Sequence, residues 1–192
     1  MKPCVVVSEQ MGADGGLVAL GASALTGYRL ILRDSLRKLA RSHGVQGTEW
    51  QWLDQGWSRL FATLDAPPDV RLAILRPALM AACRASRGAL FLGRGISELL
   101  HGHVPLLRTR VVAPFELRCQ RIMRQVNLTS SRAEERVRRS DEENAWFYRH
   151  FFGLNWDDSA RYDLIIDTGG LTVAEAAARV ARAVAVSQGE AA

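Results

Sequence analysis

The residues best suited to chemistry form a glycine-rich turn near the amino end of the chain. The turn, Gly12-Ala13-Asp14-Gly15-Gly16, follows the β-branched run Val5-Val6-Val7 and precedes an alanine-rich helical stretch. A strand that ends in glycines and opens a helix directs backbone N–H groups and the positive end of a helix dipole at one point. The turn therefore predicts a phosphate site built from backbone, with an ordinary strand-to-helix turn as the alternative.

This turn has the glycines of a phosphate-binding loop but not the side chains that usually accompany them. A full loop reads G-x-x-x-x-G-K-[S/T], in which the lysine neutralises phosphate charge and the hydroxyl holds Mg²⁺. Here Gly15 stands where the lysine is expected, and neither of the next two residues, Gly16 and Leu17, supplies a hydroxyl, while Asp14 places a negative charge beside the phosphates. Backbone amides must therefore carry any phosphate binding at this turn.

Arginine supplies nearly all of the positive charge, since Lys2 and Lys38 are the only lysines. Its planar guanidinium group grips phosphate oxygens with two parallel hydrogen bonds. Arg94 lies between two glycines at the tip of a predicted strand. The other candidates share helix faces, Arg118 and Arg121 on one predicted helix and Arg132, Arg136 and Arg139 on the next. These faces could close over a polyphosphate, or they are solvated and paired with neighbouring glutamates.

Alternating apolar runs and helical patterns predict the elements that position these residues. The predicted strands are Cys4–Val7, Ala89–Leu92, Thr109–Val112 and Leu164–Ile166, and Tyr28–Leu32 fits either a fifth strand or the start of a helix. The predicted helices are Leu17–Ala24, Leu36–Ser42, Thr48–Leu64, Pro77–Ser86, Ile96–Leu100, Phe115–Arg124, Ser131–Phe152 and Val173–Val186. This order predicts an α/β fold, a doubly wound parallel sheet flanked by helices in three layers, as one domain over 1–192.

Local signals set some of the element boundaries. Ser131 and Glu134 have the spacing of a capping box at the start of the long helix, and Gly153 is suited to end it. The segment Asp65–Asp69, with two prolines, predicts a loop. In a doubly wound sheet, ligands bind at the carboxyl ends of the strands. The glycine turn and the Gly93-Arg94-Gly95 turn both lie at that edge.

Composition narrows the function classes. The chain has 192 residues, 48% of them hydrophobic, which suffices for one sizeable core, and a net charge of +5 that suits an anionic ligand. The aromatic residues do not alternate with arginines as a base-stacking platform requires, so we do not expect a nucleic-acid partner. Three scattered cysteines and the lack of a signal or membrane-spanning stretch predict reduced thiols, a cytoplasmic location and no membrane partner. His101 and His103 lack a third ligand at metal spacing, so no protein-held metal site is assigned.

Read in order, these segments resemble the cytidylate kinase-like family of P-loop nucleotide kinases over nearly the whole chain. The resemblance rests on the glycine turn and on five later segments: Leu92-Gly93-Arg94-Gly95, Arg110–Pro114 leading to Arg118 and Arg121, Asp141–Ala145, Phe151–Asp157 and Tyr162–Thr168. It implies ATP-dependent phosphoryl transfer to a nucleoside monophosphate or another small acceptor, with ATP and Mg²⁺ as cofactors. It also implies a mobile helical lid region at about 115–153, and a homodimer is left open.

The resemblance also assigns site residues. The residues that it places on the donor nucleotide are Ser8, Gly12, Ala13, Asp14, Gly15, Gly16, Arg118 and Arg121. The residues that it places at the transfer step are Arg94, on the acceptor side, and Arg136, Arg139 and Asp141 in the lid. Catalysis of this kind consists mostly of positioning and charge neutralisation. The predicted site is accordingly rich in arginine and poor in nucleophiles.

Two departures from the family pattern leave a second hypothesis open. Where family members follow the loop with an arginine and an acidic residue, this chain has Gly16 and Leu17. Position 144, where the D-x-x-R pattern of the lid that begins at Asp141 expects arginine, is Asn144. Affinity survives such losses better than catalysis does. The alternative to a phosphotransferase is therefore a catalytically inactive nucleotide-binding or regulatory module.

Overall fold

A five-stranded parallel sheet forms the centre of the computed structural model, which describes residues 2–32, 76–85 and 88–189 together with Ser35 and Lys38. The strands are β1 (Cys4–Glu9), β2 (Arg29–Ile31), β3 (Ala89–Leu92), β4 (Leu106–Val112) and β5 (Leu164–Asp167). Their order across the sheet is β2-β3-β1-β4-β5, and every pairing is parallel. Because β1 is central, its carboxyl end has a neighbouring strand end on each side.

Helices connect these strands and cover both faces of the sheet. Those in the described ranges are α1 (Gly15–Thr26), α2 (Arg76–Ala85), α3 (Ile96–Leu100), α4 (Phe115–Val126), α5 (Ser130–Phe152) and α6 (Val173–Ser187), with a short 3₁₀ helix at Ser159–Arg161. None of the helices in this part of the chain is both long enough and apolar enough to cross a bilayer.

Alternate residues of β1 enter two separate hydrophobic cores. Val5 and Val7 pack with α1 and α6 on one face of the sheet, whereas Cys4 and Val6 pack with α2, α3 and the carboxyl half of α5 on the other. The period of two along a strand explains this division, since successive side chains point to opposite faces. The predicted three-layer α/β fold with a doubly wound parallel sheet is confirmed.

A third apolar cluster joins α4 to α5 outside the sheet. It comprises Cys119 and Ile122 from α4 and Ala133 and Val137 from α5, so these helices form a hairpin. The hairpin begins just after β4 and brings the middle of α5 to the carboxyl edge of the sheet, where Ser140 of that helix lines a cavity. It occupies the segment that the sequence assigns to the lid.

Most predicted elements are confirmed within one to three residues at each end, and the open segment at Tyr28–Leu32 contains a strand, β2. The three cysteines are buried and free, as expected. The helices predicted over Leu36–Ser42 and Thr48–Leu64 and the loop at Asp65–Asp69 lie outside the described residues, apart from Lys38.

The predicted capping box at the start of α5 is wrong. Because the helix starts at Ser130, its N-cap residue is Thr129 and not Ser131. The Thr129 side chain accepts no capping hydrogen bond. Glu134 instead accepts a hydrogen bond from the Ser130 hydroxyl at 3.1 Å. Gly153 does end the helix in the left-handed conformation (φ 66°), as predicted.

Candidate functional site

The glycine turn is a tight connection between β1 and α1 that depends on its residue types. Gly12 has φ 82°, and a Cβ atom there would lie 2.7 Å from the backbone oxygen of Arg118 in α4. Asp14 also has a left-handed backbone (φ 58°), a conformation that aspartate tolerates better than most residues. Its carbonyl accepts the first helical hydrogen bond from Val18 at 3.0 Å. The amides of Gly15 and Gly16 therefore open α1 without partners inside the helix.

These two amides converge on an anion that belongs to the chain itself, the carboxylate of Glu9. The Gly16 N–H donates to Oε2 of Glu9 at 3.2 Å, and the Gly15 amide also bonds to this carboxylate. Burial raises the pKa of Glu9, the two amides oppose that shift, and the nearby charge of Asp14 adds to it. The turn is thus an anion site, and in this conformation it holds a carboxylate.

Arg121 of α4 fastens the turn to the end of β5. Its Nε lies 3.0 Å from a carboxylate oxygen of Asp14, and one of its terminal nitrogens donates to the carbonyl of Gly12 at 3.2 Å. The same guanidinium group donates to the hydroxyl and the carbonyl of Thr168 at 2.9 and 3.0 Å. Every nitrogen of Arg121 therefore contacts the turn or the neighbouring strand end.

Arg118, one turn earlier on α4, is buried and connects the two helices of the hairpin. It makes a two-pronged salt bridge with Asp141 of α5, with N···O distances of 3.0 and 2.9 Å. Its Nε donates to the carbonyl of Ala113 at 3.1 Å. These contacts give Arg118 and Asp141 a structural role in this conformation.

A cavity of about 600 Å³ opens beside the turn at the carboxyl edge of the sheet. Its lining includes Glu9 at the end of β1, Asp14 and Gly16 of the turn, and Glu143 and Asn144 of α5. Apolar side chains also line it, among them Ile31, Leu32, Leu79, Leu92, Ile96 and Leu99. A cavity of this volume accommodates a small molecule.

Of the residues that the structure describes, Arg94 is the one positively charged residue that lines this cavity. It projects from the turn after β3, donates to the side-chain oxygen of Asn144 at 2.7 Å and lies 5.2 Å from the ring centroid of Phe147. Asn144 is buried, so its amide is fixed as an acceptor for Arg94. The residue that replaces the expected arginine at position 144 thus orients another arginine.

The other predicted site residues lie around the cavity without lining it. Ser8 is buried and bonds to the hydroxyl of Tyr148, and Ala13 is buried in the turn. Arg136 is exposed on α5. Arg139 is also exposed and pairs with Glu143 at 3.0 Å on the same helix. Of the predicted residues, the structure brings Gly12, Asp14, Gly16 and Arg94 to the cavity.

Two residues of the site were missed by reasoning from the sequence. Glu9 is the last residue of β1, three residues before the turn, and the amide that it accepts from lies seven residues later, so the strand pattern did not indicate this contact. Asn144 was considered only as a missing arginine. The signal that could have indicated Glu9 is an acidic residue shortly before a predicted helix start, because the first amides of a helix favour an anion.

The arrangement fits an oxyanion better than a metal held by the protein. The amides of Gly15 and Gly16 already hold one carboxylate, so their geometry suits a phosphate oxygen once Glu9 moves away. Neither Gly16 nor Leu17, the two residues after the expected lysine position, carries a hydroxyl for Mg²⁺, and the leucine side chain is 52% exposed. Within the described part of the chain, no group of three His, Cys, Asp or Glu side chains could hold a metal ion. The described residues therefore form no metal cluster of their own, and a Mg²⁺ ion at this site would need ligands from a bound phosphate.

Comparison with protein families identifies a match over most of the chain. The family described as cytidylate kinase-like matches residues 4–170, which include the glycine turn, the cavity and all five strands. No curated protein matches the sequence significantly.

Solved structures match over nearly the full length at low sequence identity. An uncharacterized protein from Eubacterium ventriosum has a TM-score of 0.73 and 14% identity, covering 95% of this chain and 98% of that chain. Shikimate kinase from Acinetobacter baumannii, in complex with shikimate, has a TM-score of 0.55 and 17% identity, covering 97% and 94%. Shikimate kinase from Bacteroides thetaiotaomicron has a TM-score of 0.57 and 10% identity, covering 96% and 99%. At these identities the likeness shows the fold alone, which is P-loop kinase-like.

Proposed function

This chain belongs to the cytidylate kinase-like family, and we propose that it binds a nucleotide at the glycine turn without sustaining phosphoryl transfer. The family and the anion-holding amides of Gly15 and Gly16 support the binding half of this proposal. The cavity beside the turn provides room for a ligand.

One observation supports the second half of the proposal, the absence of phosphoryl transfer: Arg118 and Arg121 of α4 are both paired with other residues of the chain. Arg118 is paired with Asp141, and Arg121 with Asp14 and Thr168. Phosphoryl transfer needs cations around the transferred group, and an arginine in that position is worth about 10³ to 10⁵ in rate. With no lysine in the turn, Arg94 alone of the described cations faces the cavity. The shortage of cations at the cavity weakens ligand binding through backbone amides less than it weakens stabilisation of the transition state.

The second candidate is an ATP-dependent phosphotransferase that acts on a nucleoside monophosphate or another small acceptor, with ATP and Mg²⁺ as cofactors. The position of Arg94 favours it, because Asn144 and Phe147 hold the guanidinium group at the cavity wall. Under this hypothesis, a hairpin lid over 115–153 closes, Arg118, Arg121 and Arg139 leave their present partners, and the exposed Arg136 turns toward the ligand.

One pair of measurements separates the two candidates. Calorimetric titration with ATP tests binding, and ATP consumption with a panel of nucleoside monophosphates in the presence of Mg²⁺ tests transfer. We expect ATP binding in the wild type and no turnover above background with any acceptor. Turnover that falls at least 10³-fold in Arg94→Ala would instead support the phosphotransferase.

A matched variant guards against general loss of structure. Arg124→Ala removes an exposed arginine from α4 that does not line the cavity. We expect it to bind ATP as the wild type does, whereas Arg94→Ala should bind roughly tenfold to a hundredfold more weakly, the usual worth of a hydrogen bond to a charged group. If the wild type binds no nucleotide, the proposed function is wrong.

A further inference from the structure

The carboxylate of Glu9 lies where the turn would bind an oxygen of a phosphate. It accepts the Gly16 N–H at 3.2 Å and bonds to the Gly15 amide. Both amides belong to the first turn of a twelve-residue helix, where an N–H group has no carbonyl partner within the helix and an anion is favoured. A ligand oxyanion and Glu9 cannot use the same N–H groups at once.

The residue at position 15 allows this contact. A Cβ atom on Gly15 would lie 2.6 Å from the Cβ of Glu9 and 2.7 Å from its Oε2, closer than side-chain atoms approach each other. Any other residue there would push the Glu9 side chain away from the amides. Gly15 and Glu9 therefore act as a matched pair, in which the missing side chain of one makes room for the carboxylate of the other.

We infer that Glu9 is an autoinhibitory residue that occupies the anion site of the turn, so that a phosphate or sulfate oxyanion binds only by displacing its carboxylate. The inference rests on the proposed function, because it concerns competition for the same amides. The other acidic residues of the cavity have cationic partners: Asp14 is paired with Arg121, and Glu143 with Arg139. Of these acidic residues, Glu9 is the one that contacts the amides of Gly15 and Gly16.

Removal of the Glu9 side chain should open the site. We expect Glu9→Ala to bind sulfate and ATP roughly tenfold to a hundredfold more tightly than the wild type, since a hydrogen bond to a charged group no longer competes. Glu9→Gln should show a smaller gain, because its amide oxygen still accepts from the backbone but carries no charge. Sulfate is a useful probe because it presents the oxyanion without a base or a sugar.

Glu143→Gln is the matched control, since it removes one carboxylate from the same cavity without touching the amides of the turn. We expect its affinity for sulfate to rise less than threefold. An equal gain in Glu143→Gln and Glu9→Ala would overturn the inference, because general charge reduction would then explain both.

The outcomes also separate this inference from the proposed function. ATP binding by the wild type with no gain in Glu9→Ala overturns the inference alone, and absence of ATP binding in both proteins overturns the two together. If Glu9→Ala does not fold, the Gly15 and Gly16 amide resonances of Glu9→Gln provide the test. They should shift at lower sulfate concentrations than in the wild type, and identical titration curves would contradict the inference.

Discussion

Arg121→Met should loosen the glycine turn and destabilise the whole domain. Methionine keeps much of the length and apolar packing of the arginine stem but removes the guanidinium group that holds Asp14, Gly12 and Thr168 together. The Thr168 hydroxyl keeps a second partner, because it donates to the carbonyl of Ala13 at 3.0 Å. The main loss is therefore the cation beside the Asp14 carboxylate.

The burial of the pair sets the size of this effect. The side chains of Arg121 and Asp14 are 19% and 14% exposed. Breaking a fully buried pair costs about 3–5 kcal/mol, and an exposed pair about 0–1 kcal/mol. A mostly buried pair with some solvent access lies between these limits, at about 2 kcal/mol. For a chain of this length, that corresponds to a fall in Tm of roughly 4–8 °C.

Urea unfolding followed by circular dichroism measures the free energy of unfolding directly. Arg124→Met, an exposed position on the same helix, is the matched control and should lie within about 0.5 kcal/mol of the wild type. A double-mutant cycle with Asp14→Asn isolates the pair, since asparagine tolerates the left-handed backbone at that position. A coupling energy near zero, or equal losses in Arg121→Met and Arg124→Met, would refute the reasoning.

Three further substitutions test other contacts. Tyr148→Phe removes the hydroxyl that accepts a 3.0 Å hydrogen bond from the buried Gly95 N–H, so it should lower the free energy of unfolding in urea titrations by about 1–3 kcal/mol. Because burial raises the pKa of Tyr148 to about 12, this loss should not vary between about pH 6 and 9. Burial would raise the pKa of Asp163, but hydrogen bonds from Arg108 outweigh the effect of burial and lower this pKa. The Asp163 carboxylate therefore stabilises the fold above its unfolded pKa of about 4, and this stabilisation is lost as the pH falls through the lower pKa of the folded state. Asp163→Asn should flatten that part of the curve of stability against pH, and an unchanged curve would contradict the assignment. Gly12→Ala places a Cβ atom 2.7 Å from the backbone of α4 on a residue with φ 82°. We expect the free energy of unfolding to fall by about 2 kcal/mol or more and ATP binding to weaken in the same calorimetric assay, whereas wild-type stability would show that the turn can shift.

The parts of the fold that follow local periodicity could be predicted from the sequence. The buried strands β1 and β3 show as short apolar runs, and α3 matches the predicted range, Ile96–Leu100. The segment at β2 stayed ambiguous because only three residues pair with the sheet at its edge, and their burial is mixed. A strand of that length has too few residues for its period to be read.

Helix boundaries were less predictable where several residues can cap. The start of α5 offers three successive hydroxyl residues, Thr129, Ser130 and Ser131, and the spacing to Glu134 favoured the last of them. The packing of Ala133 and Val137 against α4 accompanies a helix that begins one residue earlier. Capping signals are worth about 1 kcal/mol, so the burial of a helix face can override them.

The sequence by itself determined the layered α/β fold, the family and the position of the glycine turn, because each of these depends on residues that are near one another in the chain. Tertiary structure decided which groups the arginines reach: Arg94 meets Asn144 fifty positions away, and Arg121 meets Thr168 forty-seven positions away. It also brought the Glu9 carboxylate to the Gly16 amide, seven positions later in the chain. A long polar side chain takes whichever partner the packed elements bring within hydrogen-bond distance, and no local pattern specifies that partner.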